Sequence, residues 1–101
     1  MATRHRLSIF NIEDPLVRGR LIREIRQPNS AWTRWELRED EAYRPDLVAY
    51  RYYGTSAAVP VVLAAAGVDN PLDTRLPIGS QIALPPADWL RKRIKHYQGL
   101  V

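Results

Sequence analysis

The sequence predicts an α+β fold: a small strand–helix–helix–strand (βααβ) unit with an N-terminal β-hairpin extension and a short C-terminal helix. Three observations predict it. Pro45-Asp46 and Gly54 bracket nine residues with helix start and stop chemistry. An apolar segment from Thr55 to Gly67 carries its own cap and stop. Gln81–Leu84 is rich in strand formers and ends at Pro85-Pro86, beyond which Leu90, Ile94 and Tyr97 recur at helical spacing. The expected division is 1–31 for the extension, 32–86 for the central unit and 87–101 for the basic C-terminal helix and tail.

Residues 4–12 include Leu7, Ile9, Phe10 and Ile12 and read as a strand, followed by a turn at Glu13-Asp14-Pro15. Residues 20–27 alternate, with Leu21, Arg23 and Ile25 on one side and Ile22, Glu24 and Arg26 on the other, before Pro28-Asn29-Ser30 stops them. The hairpin is the reading taken forward. A competing reading makes Asp14 a helix cap with Pro15 at the first position, and Val17, Leu21 and Ile25 a stripe at i, i+4, i+8. Gly19 costs that helix about 1 kcal/mol relative to alanine.

Trp32, Trp35 and Leu37 mark a short strand that runs out into Arg38-Glu39-Asp40-Glu41, read as a solvated loop. The helix Pro45–Tyr53 follows, with Asp46 at the positive dipole end and Val48, Ala49 and Tyr52 as contact residues. Thr55 or Ser56 caps the second helix, which needs Pro60 in its first turn and carries Val59, Val62, Leu63 and Ala66. Residues 68–80 read as an ordered loop with turns at Asn70-Pro71 and around Gly79. In the last helix Arg91, Lys92, Arg93 and Lys95 lie away from the apolar stripe, toward the end that favours cations.

Composition narrows the function classes. A chain of 101 residues holds one core of ordinary size. It has no cysteine, which removes disulfides, thiolate zinc sites, iron–sulfur clusters and cysteine nucleophiles, and only two histidines, His5 and His96, far apart in sequence. The longest nearly uncharged stretch, residues 52–69, is interrupted by Gly54 and Pro60, so no bilayer span is expected. No signal peptide is visible near residue 1, and the expectation is that the chain stays where it is made or leaves by lysis or assembly.

Catalytic candidates are thin. Glu39, Asp40 and Glu41 are neighbours in a charge run, without the fixed separation an acid–base pair needs. Ser8, Ser30, Ser56 and Ser80 lack a histidine or a Gly-x-Ser-x-Gly context, and Ser56 suits a helix cap. Asp69, Asn70 and Asp73 lack the glycine and closing glutamate of a calcium loop and read as turn chemistry. The expectation is no enzyme, no catalytic residue, no cofactor and no metal.

The side chains that suit a partner interface are Trp32, Trp35, Tyr50, Tyr53, Trp89, Arg91 and Arg93, since Trp, Tyr and Arg dominate binding hot spots. Each has a plainer alternative: the aromatics as core or half-buried contacts, the cations as a solvated helix face. Tyrosines 50, 52 and 53 also suit stacking on a sugar ring. The basic last helix leaves nucleic acid as a third, weaker reading.

The segment Asp46-Leu-Val-Ala-Tyr-Arg-Tyr-Tyr-Gly54, an Ala-rich helix end, and Leu76-Pro-Ile-Gly-Ser-Gln-Ile-Ala-Leu-Pro85 together resemble a LysM domain. More narrowly they resemble the LysM-like baseplate wedge and tail protein X group of contractile-tailed phages. Arg4-His5-Arg6 and Gln27-Pro28 extend the likeness loosely to the N-terminus. The resemblance implies a structural protein of the virion, made in the host bacterial cytoplasm and docked between neighbouring baseplate or tail subunits in a large symmetric assembly. It implies no small-molecule ligand; no nucleic acid is expected either, because no recognised nucleic-acid motif is present and a net charge of +4 is modest. The alternative is a module that binds peptidoglycan or another N-acetylglucosamine polymer. Glycan-binding LysM domains usually carry Gly-Asp-Thr-Leu before the first helix and Asn after the second. This chain has Tyr43-Arg44-Pro45 and Ala66-Gly67 there, which disfavours that alternative.

Overall fold

Asp14 begins the first helix by accepting the Leu16 N–H at 2.9 Å, and Pro15 at the first position sacrifices no hydrogen bond. Helix α1, Pro15–Arg26, is therefore where the sequence predicted the second arm of a hairpin. This is from a computed structural model describing residues 5–27, 29–68, 76, 79 and 81–99. Leu21 and Ile25 are buried on one stripe with Val17 and Ile22 packed beside it. The burial of that stripe outweighs the local cost of Gly19. The expected strand over 4–12 is also corrected: its described residues make a 3-10 turn at Ile9–Asn11, capped by Ser8, with Leu7, Ile9 and Ile12 buried. With one arm helical, the other has no neighbouring ladder to join.

The central unit follows the predicted order. Strand β1, Thr33–Glu36, and strand β2, Gln81–Leu84, pair antiparallel with Trp35 opposite Ile82. Between them lie α2, Pro45–Tyr53, and α3, Val59–Ala65. Gly54 adopts φ 75°, the left-handed conformation that ends α2, and its N–H donates to the Tyr50 carbonyl at 2.9 Å. The predicted second helix starts with a 3-10 turn at Ser56–Ala58, where Thr55 Oγ1 accepts the Ala57 N–H, and becomes α-helical at Val59 with Pro60 in its first turn. Helix α4 spans Ala87–Gln98 and buries Leu90, Ile94 and Tyr97, as the spacing predicted.

The described residues thus form a small α+β structure of four helices and a two-stranded antiparallel sheet. Two apolar clusters share α3 as a wall. Val61 and Ala64 join Leu7, Ile12, Leu21, Ile25, Leu90 and Ile94 on one side. Val62 joins Leu37, Val48, Ala49, Leu76, Ile82 and Leu84 on the other. Helix α1 packs on one side of α3 and β2 on the other, while α4 packs on α1 and completes the first cluster. Of the 68–80 loop, the turn predicted at Asn70-Pro71 lies outside the described residues. Leu76 is buried, its N–H bonded to the Ala42 carbonyl, and the Gly79 N–H reaches the Leu37 carbonyl at 3.1 Å.

Val61→Ala and Val62→Ala are each expected to cost about 2–3 kcal/mol, because each removes two methyl groups' worth of burial and leaves a cavity. Urea unfolding followed by far-UV circular dichroism measures this. Asp14→Ala is expected to cost about 1 kcal/mol in the same assay, through loss of the α1 cap.

Candidate functional site

The loop between β1 and α2 is organised by Glu41, a fully buried carboxylate. One oxygen accepts the Arg38 N–H at 2.9 Å and the Trp35 Nε1–H at 3.3 Å, while the other meets Arg51 Nη1 at 2.8 Å. The solvated-loop expectation for this residue is thus corrected. Glu39 and Asp40 are exposed as predicted, but the 3-10 turn Glu39–Glu41 rotates the third carboxylate inward. Arg51 also bonds Asp40 Oδ2 at 2.7 Å. The hydrogen bonds Arg51 donates to Asp40 and then Glu41 hold its guanidinium well above its ordinary value, and Arg51 in turn lowers the Asp40 carboxyl.

An aromatic row runs outward from this knot. The Trp35 ring lies 6.0 Å from Tyr52, and Tyr52 stacks on Tyr53 at 4.7 Å and 18°. Tyr52 hydroxyl bonds Thr33 Oγ1 at 3.0 Å, and the Tyr53 hydroxyl donates to the Pro85 carbonyl at 2.7 Å. Burial pushes the Tyr53 phenol above its ordinary range, with Tyr52 adding to the effect. Both hydroxyls tie α2 to the strand ends.

Of the residues predicted for an interface, the structure engages most internally. Trp32 is buried, with its ring edge on Trp89 at 4.8 Å. Trp35 and Trp89 are half-buried. Arg93 reaches Glu24 Oε1 at 2.7 Å and lies 5.0 Å over the Tyr97 ring, while the Tyr97 hydroxyl donates to Glu24 Oε2 at 2.8 Å. Arg91 is exposed and bonded to Asp88 at 2.7 Å. It lines a cleft of about 320 Å³ with His5, Arg6, Leu7, Tyr53, Ala87 and Asp88. Tyr50 stands free of the packing at 69% exposure.

The structure adds Tyr43, 65% exposed two residues before α2, and Leu16, 81% exposed on α1. Sequence reasoning passed over both. Tyr43 was legible as a large aromatic in a charged turn, with no large apolar side chain next to it in sequence. Glu41 had a weaker signal: a glutamate three residues after Arg38 sits where a capping-box carboxylate reaches back to the backbone N–H.

Among the described residues no group of three His, Asp or Glu side chains is placed to hold a metal ion. No helix there is long and apolar enough to cross a membrane. Compared with known proteins, the chain matches no family model, no curated protein and no solved structure. The described surface carries exposed large apolar and aromatic side chains at Phe10, Leu16, Tyr43 and Tyr50, beside exposed cations on α1 and α4.

Glu41→Ala is expected to destabilise the fold by about 3 kcal/mol, because the Trp35 and Arg38 donors lose a buried acceptor. Glu41→Gln retains an acceptor oxygen and should cost less; equal losses in thermal unfolding would show that the charge alone matters. Asp40, Asp46 and Asp88 are all lowered, chiefly by hydrogen bonds from Arg51, Arg44 and Lys92 respectively. A depressed folded-state value contributes stability above the ordinary aspartate value of 3.8 that disappears as pH falls through the folded one. The unfolding midpoint should accordingly be level above about pH 5 and decline below about pH 4.

Proposed function

We propose that this chain is a structural docking module of LysM-like form, a component of a contractile phage-tail baseplate held between neighbouring subunits. The observation that carries the docking reading is the pair Tyr43 and Tyr50, 65% and 69% exposed, in a chain whose other described tyrosines and tryptophans are engaged in its own packing. Large aromatics left in water at a rigid helix are suited to anchor in a partner's pockets. The resemblance from Asp46 to Pro85 supports the narrower assignment. Its Asp-to-Gly segment forms a helix ended by a left-handed glycine, and its closing segment forms a strand antiparallel to β1.

Docking is the function in this reading. Tyr43 and Tyr50 supply contact area, while the Glu41–Arg51 knot fixes the loop and helix that present them. Such preorganisation lowers the ordering cost of association.

The test is incorporation. Tails assembled in cells that supply the chain with the remaining tail proteins are purified and the chain is quantified in them. The wild-type chain is expected in the particle. Tyr43→Ser/Tyr50→Ser is expected to be incorporated about tenfold less, while its unfolding midpoint stays within about 3 °C of wild type. Absence of the wild-type chain from tails, with retention on peptidoglycan sacculi at high salt and release by soluble N-acetylglucosamine oligomers, would overturn this reading in favour of glycan binding.

A further inference from the structure

Helices α1 and α4 carry eight cations, four on each, against only Glu24 and Asp88. Their net charge is +6 in a chain of +4, so the rest of the chain carries −2. Glu24 is consumed at the seam between the helices by Arg93 and Tyr97. Asp88 is consumed by Arg91 and Lys92. Arg20 precedes Glu24 by four residues and His96 follows Arg93 by three, so each stands beside the seam. Both are exposed, as is Arg23. Along α1 the same face continues to Leu16, giving Leu16, Arg20 and Arg23 at i, i+4, i+7. Leu16 is the most exposed large apolar side chain described, at 81%.

We propose that this stripe of α1, with the adjoining His96 edge of α4, is a docking surface for an acidic amphipathic helix of a neighbouring protein. The inference rests on the docking reading above and names a second face and its partner chemistry. The exposed guanidinium groups of Arg20 and Arg23 select an acidic partner and set register. Leu16 decides between classes of polyanion: a phosphate backbone offers an apolar side chain no seat, whereas a helix with carboxylates flanking an apolar stripe covers both the leucine and the guanidinium groups.

The probe is a labelled synthetic helical peptide with glutamates flanking a leucine stripe, titrated with the full chain by fluorescence anisotropy at rising salt. A 20-base-pair duplex and phosphatidylserine vesicles are run beside it. The peptide is expected to bind at low salt and weaken as salt rises. Arg20→Glu/Arg23→Glu should weaken it about tenfold. Leu16→Ser should weaken it about fivefold with the salt dependence unchanged. Arg34→Glu, an exposed arginine on β1, should change it by less than about twofold.

No binding at low salt overturns the proposal, and so does an Arg34→Glu loss equal to the α1 double variant, which would mean diffuse charge alone. Tighter binding to the duplex that is indifferent to Leu16→Ser makes the face a phosphate surface instead. Tighter binding to vesicles that is lost in Leu16→Ser makes it a lipid surface. Tail incorporation dependent on Tyr43 and Tyr50 alongside a failed peptide titration sinks this face alone; the reverse pair of results sinks the baseplate assignment and leaves this face standing.

Discussion

The two-sided burial of α3 is the constraint on which the rest of the structure depends. Its sequence, Val-Pro-Val-Val-Leu-Ala-Ala, has no charged residue, and it presents Val61 and Ala64 to one cluster and Val62 to the other. Neither cluster is closed without it. A chain of this length hides only a modest share of its surface, so two half-cores that share one wall are a more economical solution than two complete ones. Alanines at 64 and 65 let neighbouring elements approach closely, and Pro60 sits where a helix can spare an N–H. Pairing of β1 with β2 across only four residues each would be marginal without this support from behind.

Electrostatics then sort the inside from the outside. Glu41 is a carboxylate taken wholly out of water, a loss that only close donors offset, and it has Arg38, Trp35 and Arg51 on its two oxygens. The result is a β1–α2 loop tied to β1 through Trp35 and to α2 through Arg51. Elsewhere the cations collect on α1 and α4, whose two carboxylates, Glu24 at the seam and Asp88 within α4, are already occupied. A well-bonded interior and an unbalanced exterior support the proposed docking: the first would limit the entropy lost on binding, the second would select the partner.

Much of the central unit was legible in the sequence because its signals are local. Pro45 and Gly54 bracket α2, Thr55 caps the turn before α3, and Pro85-Pro86 ends β2. The N-terminal segment was not, because Leu21, Arg23 and Ile25 satisfy a period of two while Val17, Leu21 and Ile25 satisfy a period of four. What chooses between them is remote: α3 and α4 offer an apolar surface for a helix, and among the described residues no strand lies beside it for a hairpin to extend. The burial of Glu41 depends in the same way on Arg51, ten residues on. Trp32 is an interface candidate by residue type alone, with the core as its plainer alternative, and what decides for the core is Trp89, on α4. Tyr50 needed no such partner, and its exposure agrees with its place on the polar side of α2.

Native-state hydrogen exchange resolved by residue tests the shared wall most directly. If α3 unites the two clusters, the slowest amides of α1 and α4 open with the same free energy as those of α2 and β2, and Val62→Ala, on the sheet side, lowers all of them together. If the amides of α1 and α4 instead open at markedly lower free energy and ignore Val62→Ala, the flanking helices are a separate layer and the account of a single two-sided core is wrong.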